Sequence, residues 1–269
     1  MIRAALICGN GALPAALVAA MPERPLICAL DGFAPEGLAV DQVFRIERLA
    51  LFIRHLQDLG VTEVAFAGAV ARPRLDPALF DPQTALIVPR LLSAIHAGDD
   101  AGLRVIISLF EEEGLTVRGV ADLAPDLLAG AGVLGAVAPK AQDETDALRG
   151  RAILSALAPV DVGQGCVVAA ALCLGVEAIY GTDALLADVA SHRAQRHPAT
   201  GGVFVKCAKG GQDLRVDLPT IGPDTIDRCI AAGLSGICLQ AGHVIVLNRA
   251  EVIARADAPV DATHGGPLP

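Results

Sequence analysis

The first 120 residues alternate between short aliphatic runs and amphipathic segments, and this alternation limits the fold more than any other feature of the chain. The pattern predicts strands at Ala4–Cys8, Leu26–Leu30, Gln42–Ile46, Glu63–Ala67 and Thr116–Val120. Between them it predicts helices near Leu13–Met21, Leu51–Leu59, Ala85–His96 and Leu103–Glu113. Strands that alternate with helices specify a parallel, doubly wound sheet. Hydrophobic residues make up 53% of the chain and aromatics only 3%. The core must therefore be aliphatic, as in sheets covered by helices on both faces.

From about Asp122 to Pro139 the pattern loosens into Gly, Ala and Pro, which reads as a linker. A second unit follows from Lys140 to Asp257. It is expected to hold a helix near Asp146–Leu157, an apolar stretch at Val167–Ala178 readable as helix or strand, and a helix from Asp183. A hairpin around Lys209-Gly210-Gly211, a helix at Thr225–Ala232 and a strand at His243–Leu247 complete it. The domain organisation is thus expected to be 1–130, a linker at 131–139, 140–257, and a flexible Pro/Gly-rich tail at 258–269.

Several function classes are disfavoured. The net charge of −9 argues against a nucleic-acid backbone as partner. The seven cysteines form no CxxC or zinc-like spacing, and Cys8, Cys28, Cys166 and Cys238 sit in apolar runs. That suits reduced, buried thiols in a cytoplasmic protein. The start of the chain reads as a strand rather than a signal peptide. The longest uncharged run, Cys229–Asn248, is broken by Gly233, Gly236, Gln240, Gly242 and His243, so it reads as core and not as a membrane span. No HExxH, GxSxG or Walker signature is present.

Chemistry concentrates between Lys206 and Pro223. Asp213, Arg215 and Asp217 alternate with Leu214, Val216 and Leu218, so a strand there would carry one charged and one apolar row. A hairpin would bring Lys206 and Lys209 beside those carboxylates. Such a group suits a phosphate-like ligand, although a solvated strand face with paired charges would show the same alternation. Gly9-Asn10-Gly11 opens a helix directly after the first strand, as an anion-binding turn does and as a plain tight turn does. Pro14 and Ala15 stand where a dinucleotide fingerprint expects its third glycine. Gly98-Asp99-Asp100 precedes a helix, where one Asp serves as N-cap. Gln164, Glu177 and Asp183 bracket an uncharged segment, and oxygen ligands of this kind suit Mg²⁺.

Taken in order, Gly9-Asn10-Gly11-Ala12-Leu13-Pro14, Ala67-Gly68-Ala69-Val70-Ala71-Arg72-Pro73, Gly98-Asp99-Asp100, Asp161-Val162-Gly163-Gln164, Glu177–Asp183 and Gln212–Pro223 resemble the LpxI-type UDP-2,3-diacylglucosamine pyrophosphatases of lipid A biosynthesis. The likeness runs from residue 2 to about 257. It implies an α/β protein with an N-terminal Rossmann-like parallel-sheet domain, a C-terminal mixed α/β domain and a ligand site between them. It also implies Mg²⁺-dependent hydrolysis of UDP-2,3-diacylglucosamine to UMP and 2,3-diacylglucosamine 1-phosphate.

On that basis Asp217 is expected at the centre of the chemistry, as metal ligand or as the base that orients water, with Asp213, Lys206 and Arg215 beside it. Asp183 and Glu177 are the further candidate metal ligands. Substrate contacts are expected from Gly9, Asn10, Gly11, Gly68, Gly98, Asp99, Gln164, Thr182, Lys209 and Thr220. The two acyl chains need an apolar groove, sought near Leu172–Val176 or Leu185–Val189. Peripheral contact with the inner membrane and homodimerisation remain open, as does a non-catalytic nucleotide-sugar or lipid-binding module. An NAD-linked oxidoreductase has only the first glycine turn in its favour.

Overall fold

The computed structural model describes residues 3–71, 75–97, 99–196 and 200–258. The chain divides into two compact units: Met1–Asp126 with Gln212–Asp217, and Leu127–Gly211 with Leu218–Pro269.

The first unit holds β1 (Arg3–Cys8), α1 (Leu13–Ala20), β2 (Leu26–Leu30), β3 (Gln42–Phe44), α2 (Leu49–Asp58) and β4 (Val61–Ala67). These are followed by α3 (Pro82–Ala97), α4 (Asp99–Glu112), β5 (Thr116–Arg118) and α5 (Val120–Leu123). All its strand pairs are parallel, in the order β3-β2-β1-β4-β5. The expected doubly wound sheet is therefore present. Strand order reverses between β1 and β4, and ligands of such sheets bind beyond the carboxyl ends at that point. The helix α2 faces the sheet with Leu49, Phe52, Ile53 and Leu56, a helical i, i+3, i+4, i+7 stripe. Aromatics are few but concentrated here: Phe44 stacks on Phe52 at 4.0 Å, and Phe66 meets Phe110 edge-on at 5.3 Å.

The second unit holds α6 (Ala141–Leu157), β6 (Gly165–Ala169), β7 (Leu172–Val176), α7 (Gly181–Arg196) and β8 (Val203–Lys206). It continues through β9 (Thr220–Ile221), α8 (Pro223–Ala231), β10 (Gly236–Leu239), β11 (Ile245–Val246) and α9 (Arg249–Asp257). Its main sheet runs β10-β8-β6-β7 and is mixed: β10 and β8 are parallel, the other pairs antiparallel. The apolar stretch after Cys166 resolves into the hairpin β6–β7, whose turn residues Ala170 and Ala171 both take positive φ. The side chain that pins this turn is Asp146, fully buried on α6. Its carboxylate accepts the backbone N–H groups of Ala170 and Ala171 at 3.0 and 2.7 Å. Two charge-assisted hydrogen bonds compensate a turn conformation that alanine rarely adopts.

The expected hairpin at 203–218 does not form. The neighbours of β8 are β6 and β10, and residues 214–216 make a turn. The backbone N–H groups of Val216 and Asp217 both donate to the carbonyl of Asp213 at 3.2 Å, which curls the segment instead of extending it. Among the described residues no helix is long and apolar enough to cross a membrane. The tail 259–269 lies outside the described residues.

Candidate functional site

Three groups of the expected residues acquire a definite geometry. The first is the turn Gln212–Asp217, which packs with the first unit although it lies far along the chain from it. Val216 packs against the aliphatic core of that unit. The Asp213 carboxylate accepts from the backbone N–H of Arg215 at 3.1 Å, from its Nε at 3.0 Å and from its Nη2 at 2.7 Å. Arg215 also donates from Nη1 to Glu111 Oε1 on α4 at 2.6 Å. The Arg215 guanidinium holds the Asp213 carboxyl below the usual carboxylate range, and the two carboxylates raise Arg215 in turn. Asp217 is half-buried at the end of this turn. The period-two charged row therefore does not exist. A two-residue Asx-type turn replaces it, because a short acid can bond its own backbone two residues on.

The second group is buried in the second unit. Lys206, at the end of β8, is only 3% exposed. Its Nζ donates to Glu177 Oε2 at 2.6 Å and to Thr182 Oγ1 at 2.7 Å, while the Thr182 hydroxyl lies 3.1 Å from the same Glu177 oxygen. The glycines at and just before the start of β6 make room for this cluster. A Cβ on Gly165 would stand 2.5 Å from Glu177 Oε2, and one on Gly163, whose φ is +63°, would stand 2.1 Å from the Glu177 carbonyl oxygen. Gln164 accepts the backbone N–H of Cys207 at 2.9 Å through its own carbonyl. The neighbouring Lys209 pairs with Asp161 at 2.7 Å, not with the expected carboxylates.

The third group lies at the switch point of the parallel sheet. Gly9 donates its N–H to the Ala67 carbonyl at 2.8 Å, and Asn10 and Ala69 exchange backbone hydrogen bonds of 2.8 and 3.0 Å. A Cβ on Gly9 would meet the Ala69 oxygen at 2.4 Å, and one on Gly68 would meet the Asn10 oxygen at 2.8 Å. The two loops touch backbone to backbone, and only glycine permits it. Asn10 is exposed beside this contact, with Gly11 following at φ +96°.

Of the remaining candidates, Asp183 is exposed on α7 and pairs with Arg228 Nε at 3.0 Å. Thr220 opens β9, and its hydroxyl donates to the Leu218 carbonyl at 3.3 Å. Gly98 and the side chain of Asp99 lie outside the described residues. Among the described residues no three His, Cys, Asp or Glu side chains converge as a metal cluster. Glu177 and Asp183 each face a cationic side chain, the arrangement of an ion pair rather than of a metal ligand. Mg²⁺ needs only one or two protein carboxylates when substrate phosphates complete its shell. Sequence reasoning missed Glu111 and Asp146 altogether. Their partners lie 104 residues away for Glu111 and 24 and 25 away for Asp146, and no local pattern marks them.

Models described as the LpxI N-terminal domain and the LpxI C-terminal domain match residues 3–127 and 130–259. A protein of Caulobacter vibrioides named UDP-2,3-diacylglucosamine pyrophosphatase LpxI is 36% identical over 270 residues, covering 96% of this chain and 95% of its own length. The charged turn at 212–217 thus belongs by sequence to the C-terminal model and by packing to the first unit. With both halves matched and a relative aligned along almost the whole chain, this protein belongs to the LpxI family.

Proposed function

We propose that the protein hydrolyses the pyrophosphate bond of UDP-2,3-diacylglucosamine, releasing UMP and 2,3-diacylglucosamine 1-phosphate in the pathway to lipid A. The observation that carries this reading is the near full-length match to the Caulobacter vibrioides pyrophosphatase. We assign the central role to Asp217, because it ends the turn that Asp213, Arg215 and Glu111 hold in place through their hydrogen bonds. Asp217 would orient the attacking water or hold Mg²⁺, and the ion would supply charge neutralisation on the phosphoryl group.

Arg215 acts first as the clamp that positions Asp217 and second as positive charge toward the phosphates. Lys206, Glu177 and Thr182 act as a positioning network for the loop before α7, since the buried lysine donates to both of the others. Asn10, Gly11 and Gly68 offer backbone to the nucleotide side, with Gln164, Lys209 and Thr220 as further contacts. We place the enzyme in the cytoplasm, meeting the inner membrane peripherally, because its substrate carries two acyl chains.

The test is UMP release from UDP-2,3-diacylglucosamine with Mg²⁺ and with EDTA, on wild type and Asp217→Asn. The substitution is expected to cut turnover by at least about a hundredfold, the usual loss for a group that stabilises developing charge, while the urea midpoint stays at the wild-type value. Turnover within a few-fold of wild type removes Asp217 from this role. Release that survives EDTA removes the metal and keeps the hydrolase.

A further inference from the structure

We propose that Gly119 is a positioning residue for the turn at 213–217. The absence of a side chain at Gly119 sets where the Arg215 backbone rests, and through it where Asp217 is held. This rests on the reading that Asp217 is central to the hydrolysis. It gives the segment from α4 to α5 a part in turnover that acts through the turn.

The glycine is not required by its own backbone. Gly119 follows β5 and stands at the N-cap of α5 with φ −93° and ψ 167°, an extended conformation open to any residue. What excludes a side chain is the neighbour. A Cβ at this position would stand 2.9 Å from the Cα of Arg215, 3.4 Å from its Cβ and 3.5 Å from its Cγ. Carbon atoms in favourable contact lie about 3.5–4.0 Å apart. The first atom met is backbone, not the tip of a side chain that could swing aside. A glycine here marks a close approach of two backbones.

Both sides of the contact are held. The N–H of Gly119 donates to Asp122 Oδ2 at 3.1 Å, and its carbonyl accepts the N–H groups of Asp122 and Leu123 at 3.1 and 3.2 Å. Its neighbours Val117 and Val120 are buried. Across the contact, Arg215 is drawn to Glu111 at 2.6 Å, and Val216 packs on the core that contains Phe110, Leu115 and Val117. Glu111, Val117 and Gly119 therefore form one seat, with an ion pair, an apolar contact and a backbone approach. Close-packed interiors take up an added methyl group by displacement. Gly119 is fixed between a buried strand and a helix, so the turn is the part that yields. A shift of about 0.5–1 Å restores ordinary contact, and an error of about 1 Å at a reacting group costs up to about a hundredfold in rate.

The experiment measures kcat and KM for UMP release by wild type, Gly119→Ala, Glu111→Gln and the double variant, with urea midpoints alongside. Gly119→Ala is expected to lower kcat at least about tenfold with KM within about twofold of wild type. A merely structural role would move the midpoint and leave kcat of the folded protein unchanged. Glu111→Gln should lower kcat in the same way but less. The double variant should lose less than the product of the single losses, because both substitutions act on the position of one turn. Hydrogen exchange follows the N–H groups of Val216 and Asp217, which donate to the Asp213 carbonyl. They should exchange at least about fivefold faster in Gly119→Ala, with β1 and β4 unchanged, as local loosening requires. An unchanged kcat in Gly119→Ala, or a double loss equal to the full product, overturns the proposal. Should Gly119→Ala not fold, Glu111→Gln decides, and wild-type kcat and exchange in it overturn the proposal. If wild type releases no UMP while Gly119→Ala speeds exchange at Val216 and Asp217, the seat stands and the functional reading falls.

Discussion

The two charged clusters use the same kinds of side chain at different depths. In the turn at 213–215 the Arg215 side chain is 39% exposed and its partner Glu111 43%. In the second unit the side chains of Lys206 and Glu177 are 4% and 12% exposed. An exposed pair is screened by water and exchanges partners at little cost. A buried pair is committed, because removing either member strands a charge in low dielectric. Arg215 is thus the more exchangeable of the two cations and Lys206 the more committed.

The comparison breaks first at Lys206. Lys206→Met is expected to cost about 3–5 kcal/mol of stability, the loss typical when one partner of a buried pair is removed, read from urea unfolding. Adding Glu177→Gln should recover most of that loss; a double variant as unstable as the single one would mean that Lys206 stabilises by packing alone. A smaller effect is expected at the turn of β6–β7. Asp146→Ala strands the N–H groups of Ala170 and Ala171 and should cost about 1–3 kcal/mol, with faster hydrogen exchange confined to that hairpin. Uniform exchange across the second unit would contradict the local role.

The smallest effect belongs to the exposed cluster, where Asp213→Asn should cost about 1 kcal/mol or less at neutral pH. Its sign with pH follows from the lowered Asp213 carboxyl. The folded state holds the proton more weakly than the unfolded chain, so the stabilisation is complete above the unfolded value of about 3.9. It is lost as pH falls through the lower folded value. Wild type and Asp213→Asn should therefore converge in stability in acid. A gap that persists there would assign the effect to shape instead of charge.

Much of the first unit was legible along the chain. Runs such as Leu26–Leu30 are apolar at nearly every position because a parallel strand is covered on both faces, and the stripe on α2 follows from the helical period. The order of motifs from Gly9 to Pro223 likewise pointed to the family. The turn at 213–217 departs from its sequence pattern for a physical reason. Alternating charge is the signal of a strand, but an Asp followed two residues later by Arg also satisfies the backbone locally. The choice between the two depended on Glu111 and on the apolar core that receives Val216.

What the sequence by itself determined is therefore the layered α/β architecture, the aliphatic core and family membership, since periodicity and motif order are properties of neighbours along the chain. The tertiary structure alone decided which charges meet: Lys206 with Glu177 instead of Asp213, Asp183 with Arg228, and Asp146 with a turn on another element. Charge pairing depends on burial and on distances of a few ångströms between residues far apart in sequence, and no local period encodes either.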